Sequence, residues 1–127
     1  VLLHGFGASS GHWRRIAPKL AAQGWQVFSL DLLAFGASDQ PGLRQGGPLD
    51  NQIWGQQTSA FLEQIVQRPA VLVGNSLGGL SALTTAVLTP HFVRALVAAP
   101  LPDRRPVDSR ASDALLYNCA EHISHCL

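Results

Sequence analysis

The chain has 127 residues, of which 46% are hydrophobic and only 13% charged, with a formal net charge of +1. That balance suits a folded globular unit and supplies no electrostatic means of holding nucleic acid or an anionic membrane surface. No apolar run approaches the roughly eighteen residues of a membrane span, and both cysteines, Cys119 and Cys126, fall in the last segment, where they say little about redox compartment.

In chain order, Val1-Leu2-Leu3 is the end of an apolar strand, and His4-Gly5-Phe6-Gly7-Ala8-Ser9-Ser10-Gly11 is a glycine-rich loop. Trp13, Ile16, Ala17, Leu20 and Ala21 then recur at helical spacing, with Pro18 compatible only with a first turn and Gly24 acting as a stop. Trp25 to Leu30 reads as a second strand ending at Asp31, before the turn Ala34-Phe35-Gly36-Ala37-Ser38-Asp39. Residues 40–50, with Pro41, Gly42, Gly46, Gly47 and Pro48, read as a surface loop. Asp50 or Asn51 caps a helix whose apolar face is Trp54, Phe61, Leu62 and Ile65, and Pro69 closes that unit. Ala70-Val71-Leu72-Val73 is a third strand, and Gly74-Asn75-Ser76-Leu77-Gly78 leads from it into a small-residue helix that runs to about Leu88, where Pro90 breaks it. Val93 to Ala99 is a fourth strand. Apolar strands alternating with helices predict an α/β fold, a parallel sheet with helices on both faces. Strands near 1–3, 26–31, 70–74 and 94–99 are expected in one sheet, with 1–3 between the second and third of these.

The chemistry is carried by the pentapeptide around Ser76. A Gly-x-Ser-x-Gly between a buried strand and a helix is the pattern of a nucleophile elbow, in which a serine sits on a sharp, strained turn. Gly74 and Gly78 are then steric needs, because a side chain beside the serine would collide with the turn. The helix that starts there aims free N–H groups and a positive dipole end at the seryl oxygen. In the same reading His4-Gly5-Phe6 completes an oxyanion hole, its two donors being the backbone N–H groups of Phe6 and Leu77, each expected ~3 Å from one shared oxygen position.

These three linked motifs (His-Gly-x-Gly, Asp31 with Gly36-Ala37-Ser38-Asp39, and Gly-Asn-Ser-Leu-Gly-Gly) resemble the α/β-hydrolase fold superfamily, in its serine-nucleophile, esterase-like branch. The similarity covers about residues 1–102. It departs from the family at Ala34, where many relatives have glycine. Asn75 before the serine is similar to carbon–carbon bond hydrolases of ring-cleavage products and to pheophytinase-like esterases. The resemblance implies a serine hydrolase acting on a small ester-like molecule through an acyl-enzyme on Ser76, with no metal or organic cofactor. A serine in place of a carboxylate at this position argues against the dehalogenase and epoxide-hydrolase branches.

The resemblance also implies that two strands precede Val1 and that later strands carry the usual acid and histidine. The economical reading is a fragment, incomplete at both ends, because a domain of this class needs more than about 200 residues to close its core. Residues 1–102 are then the amino-terminal and central part of the hydrolase domain, and 103–127 a divergent tail. No leader is visible, although a chain without its starting Met would not display one, and the cytoplasm is the default expectation.

Each candidate residue has a plainer reading to set beside this one. Ser76 could simply cap a helix. His4 precedes the oxyanion loop, so shaping that loop suits it better than acting as the base. His12 and His91 read as surface or packing residues, and the catalytic histidine is not identifiable. Asp31 reads as the anchor of the Gly36–Asp39 turn. Asp103, after the fourth strand, is a possible triad acid, against the alternative of a solvated charge beside Arg104 and Arg105. Cys119, Glu121, His122, His125 and Cys126 are too cramped for a standard zinc layout, so no metal site is expected. Two other readings remain: a non-catalytic remnant of the same fold, and a dinucleotide-binding module in which Gly5-x-Gly7 and Asp31 imitate the pyrophosphate and ribose contacts.

Overall fold

Short apolar strands set the frame. The computed structural model describes residues 1–40 and 50–99. Its strands are β1 (Leu2–Leu3), β2 (Ser29–Leu30), β3 (Ala70–Asn75) and β4 (Val93–Ala99). They form one four-stranded, wholly parallel sheet in the order β2-β1-β3-β4. The expected order is therefore the observed one. The chain steps outward from β1 to β2, then crosses back to β3, so strand order reverses between β1 and β3. In open α/β sheets that reversal opens a crevice at the carboxyl ends of the two strands, and it is where ligands bind.

Helices α1 (Ala17–Ala22), α2 (Asn51–Phe61) and α3 (Leu77–Leu88) connect the strands. Right-handed crossovers place α2 and α3 on one face and α1 on the other. The core lies under α2 and α3, where Leu3, Leu72, Leu96 and Ala98 of the sheet meet Trp54, Leu62, Leu77 and Ala82. Burial alternates along β3 and β4: Leu72, Leu96 and Ala98 are buried, whereas Val97 on the opposite face is 36% exposed.

Local structure departs from the sequence reading at three places. The helix expected from Trp13 is split into a 3-10 turn, Ser10–Trp13, and the short α1, which has Pro18 in its first turn. Proline has no N–H to give and its ring clashes with the carbonyl four residues earlier, so Pro18 fits only a first turn and the helix restarts at Ala17 rather than running through. The strand expected over 26–31 pairs only at Ser29 and Leu30, because its partner β1 is itself two residues long. Asp50 does cap α2, its carboxylate accepting the Ile53 N–H at 3.0 Å, but Ile65 does not lie on the buried face and is 59% exposed. A π turn over Leu62–Val66, closed by the Gln67 N–H to Leu62 C=O bond at 2.7 Å, widens the helix by one residue and swings Ile65 outward. The loop expected at residues 40–50 falls mostly on 41–49, outside the described residues, as do Asp103 and the Cys119–Cys126 cluster.

Candidate active site

The turn at the end of β3 is tight enough to dictate its own sequence. Ser76 has φ +52° and ψ −114°, backbone that costs a non-glycine residue on the order of 1–3 kcal/mol and persists only when its surroundings fix it. They do fix it. The Ser76 N–H donates to Ala99 C=O at 3.3 Å, and the Ser76 carbonyl accepts from the N–H groups of Gly79 (2.9 Å) and Leu80 (3.2 Å). A Cβ on Gly74 would stand 2.2 Å from the Gly78 carbonyl oxygen, and one on Gly78 would stand 2.2 Å from that of Leu3. Only glycine lets α3 begin this close to the ends of β3 and β1.

The loop after β1 meets this turn. A Cβ on Gly5 would lie 3.1 Å from Asn75 Nδ2 and 3.5 Å from Ser76 Cβ. The Gly5–Phe6 backbone and the Ser76 turn are thus neighbours at the same end of adjacent strands, over the reversal of strand order. Among the described residues, the Phe6 and Leu77 N–H groups donate to no backbone oxygen, and Ser76 Oγ has no hydrogen-bond partner. The Phe6 side chain is 79% exposed, its ring edge-to-face with Phe35 at 5.3 Å.

His4 is fully buried and both of its nitrogens are engaged. Nε2 accepts the Leu32 N–H at 3.1 Å, which puts the proton on Nδ1, 2.8 Å from the Gly5 carbonyl. A histidine so tied shapes the loop after β1 and has no free nitrogen to offer a hydroxyl. His91 lies before β4, at the opposite end of the sheet from Ser76, and His12 packs on Trp13.

Asp31 anchors two segments. Its carboxylate accepts the Ala37 N–H at 2.9 Å and the Ser10 N–H, while its carbonyl accepts Ser38 Oγ at 2.6 Å. The Ala37 N–H, then Ser10 and the nearby His4, hold its carboxyl below the usual carboxylate range, against the opposing cost of burial. Ala34, where many relatives have glycine, sits at φ +70°.

Sequence reasoning missed the polar side of α2. The Gln57 amide accepts the Leu33 N–H at 2.9 Å and donates to the Asp31 carbonyl at 3.0 Å. Trp54, read only as an apolar anchor, also donates its indole N–H to the Leu33 carbonyl at 3.0 Å. The one available signal was the three-residue spacing of Gln57 from Trp54, which puts both on one helix face.

Cavities open at the other end of the sheet, lined by residues such as Val1, Leu20, Trp25, Val27 and Arg94, and neither includes Ser76 or Phe6. Among the described residues, no group of three or more His, Cys, Asp or Glu side chains could hold a metal ion, and no helix is long and apolar enough to cross a membrane. The Gly5-x-Gly7 loop leads into a 3-10 turn whose Ser10 N–H is taken by Asp31, and α1 starts only at Ala17. No helix N-terminus therefore stands where a dinucleotide's pyrophosphate would sit.

A sequence profile of the alpha/beta hydrolase fold matches residues 1–104. The chain belongs to the α/β-hydrolase fold family. Among its hydrolase relatives, 2-hydroxymuconate semialdehyde hydrolase of Pseudomonas sp. (strain CF600) is 34% identical over 100 residues, covering 76% of this chain and 34% of that protein. Pimeloyl-[acyl-carrier protein] methyl ester esterase of Edwardsiella ictaluri (strain 93-146) is 36% identical over 97 residues, again 76% of this chain and 34% of that protein. A crystal structure of a probable hydrolytic enzyme from Pseudomonas aeruginosa PAO1 superposes with a TM-score of 0.70 at 32% identity, over 79% of this chain and 31% of that one. This hydrolase-fold chain spans about a third of the length of the curated relatives it matches.

Proposed function

We propose that Ser76 is the nucleophile of an ester-hydrolysing reaction on a small molecule. The observation that supports this best is the strained Ser76 turn set against the Gly5–Phe6 loop at the reversal of strand order. In this reading Gly74 to Gly78 is a nucleophile elbow. Ser76 Oγ attacks the substrate carbonyl and loses its proton to a base. The N–H groups of Phe6 and Leu77 hold the resulting oxyanion, the alcohol leaves, and water releases the acid from the acyl-enzyme. The hydrolase unit is residues 1–102 and the tail 103–127, with Asp103 as the candidate acid. A second reading, cleavage of a carbon–carbon bond beside a ketone by the same nucleophile, draws on the 2-hydroxymuconate semialdehyde hydrolase, whose identity to this chain is within two percentage points of the esterase's.

None of the described histidines hydrogen-bonds to Ser76, and without a base a seryl hydroxyl stays protonated and weakly nucleophilic. Turnover of 4-nitrophenyl acetate by the 127-residue chain is expected at or near background. A fluorophosphonate should still label Ser76 slowly, read by peptide mass, because the oxyanion hole and binding go on stabilising the attacked centre when the triad is broken, a residual effect on the order of 10³-fold over water. Label that persists in Ser76→Ala, or none in the parent chain, overturns the nucleophile assignment. Robust turnover lost in Ser76→Ala overturns the expectation of inactivity and sends the search for a base to His4, His91, His122 and His125.

A further inference from the structure

The segment Asp31–Phe35 is held from three sides although it belongs to no helix or strand. From the loop after β1, His4 Nε2 takes the Leu32 N–H. From α2, Gln57 takes the Leu33 N–H and gives a hydrogen bond to the Asp31 carbonyl, while Trp54 gives one to the Leu33 carbonyl. From within the turn, Ser38 Oγ donates to the same Asp31 carbonyl. Consecutive backbone groups are thus satisfied by side chains, and the segment then passes through Ala34 at φ +70°. A left-handed alanine is kept only where the surroundings over-determine it.

The segment in turn carries Phe35, whose ring meets Phe6 edge-to-face at 5.3 Å, His4 at 5.7 Å and Trp54, tilted, at 6.2 Å. Phe6 itself is 79% exposed, and among the described aromatic rings Phe35 is its one partner. Gln57 is the only one of these side chains that bonds both a donor and an acceptor of the segment.

We infer that Gln57 is a positioning residue for the site: it fixes the Asp31–Phe35 segment, and through the Phe35 ring it sets where the Phe6 backbone stands relative to Ser76. The consequence for chemistry rests on the reading of Phe6 as an oxyanion donor. Such donors act only when fixed in advance, and a displacement of about 1 Å can cost ~10²-fold.

Gln57→Leu keeps the side chain's bulk and removes both hydrogen bonds, and Gln57→Asn, too short to bridge, serves should the leucine variant fail to fold. In nuclear magnetic resonance spectra of the 127-residue chain, recorded dilute enough to keep it from associating, the variant is expected to shift the Phe6 and Gly7 amides and the Phe6 and Phe35 ring protons together with Leu33. Amides of α3 from Ala82 to Ala86 should stay in place. Shifts confined to Leu33 and α2, or spread equally through α3, would overturn the inference, the second showing a general loosening. Fluorophosphonate labelling of Ser76, at a temperature where both proteins are folded, should slow by about tenfold to a hundredfold. An unchanged labelling rate would also overturn it. A parent chain that takes no label refutes the Ser76 reading instead, and the resonance shifts then decide the positioning role alone.

Discussion

Ala34 and Ser76 share an unusual backbone sign for opposite reasons. At Ser76 the strain belongs to the proposed chemistry, in which the turn presents the hydroxyl to a substrate. At Ala34 the methyl group gains nothing visible from φ +70°. Ala34→Gly should raise stability by about 0.5–1 kcal/mol, relief of the left-handed alanine outweighing the added freedom of the unfolded chain. The midpoint of urea unfolding at low protein concentration measures it. Asp31 makes a pH-dependent contribution. Its carboxyl is held below the ordinary range first by the Ala37 N–H, so the folded state binds this proton less readily than the unfolded state. The stabilisation is complete above the unfolded value of about 3.9 and is lost as pH falls through the folded one. Below about pH 4, the parent chain should lose stability more steeply than Asp31→Asn, and parallel unfolding curves for the two would remove that assignment.

Among the elements, the pairing of α2 with α3 holds the Ser76 turn from behind. It is a seam of small and hydroxyl-bearing residues: Thr58 Oγ1 lies 3.1 Å from Ser81 Oγ, Thr85 Oγ1 donates to the Gly55 carbonyl at 3.3 Å, and Thr89 Oγ1 donates to Ser59 Oγ at 3.1 Å. Each of these hydroxyls is buried with a partner, so none carries an unpaired desolvation cost. The close approach depends on Gly55, where a Cβ would meet Thr84 Cγ2 at 2.4 Å. Alanine would improve helix propensity by about 1 kcal/mol, but the β-branched Thr84 cannot swing aside as a long side chain could. Gly55→Ala is therefore expected to destabilise by about 1–3 kcal/mol, the range of an overpacked core. A rise in unfolding midpoint would show that the helices separate freely.

For the whole molecule, the outer strands of the described sheet are β2 and β4, and β4 is apolar but for Arg94. Val97 on β4 is 36% exposed and Trp25, just before β2, is 57% exposed. Unpaired backbone on apolar outer strands recruits further chains, and a parallel sheet is stable only with cover on both faces. The 127-residue chain is expected to elute as associated species in size-exclusion chromatography. A sharp monomeric peak with one cooperative thermal transition would show that it closes its own core.

The strand order, the site of the Ser76 turn and the anchoring role of Asp31 were all legible in the sequence. Each is written in local chemistry: apolar runs, glycines where a side chain has no room, and a carboxylate placed before a turn. His4 as the shaper of its loop was legible for the same reason, since it sits beside the glycines it serves. Gln57 and the indole N–H of Trp54 were not, because a hydrogen bond spanning twenty-odd residues leaves no periodic trace. Nor was the outward turn of Ile65, since an α-helical spacing cannot announce that one π turn will break its phase. Residue type and spacing alone determined which segments would pair and where the Ser76 turn would stand. Tertiary structure decided which backbone atoms each polar side chain reached, because that depends on how closely α2 and α3 pack over the sheet.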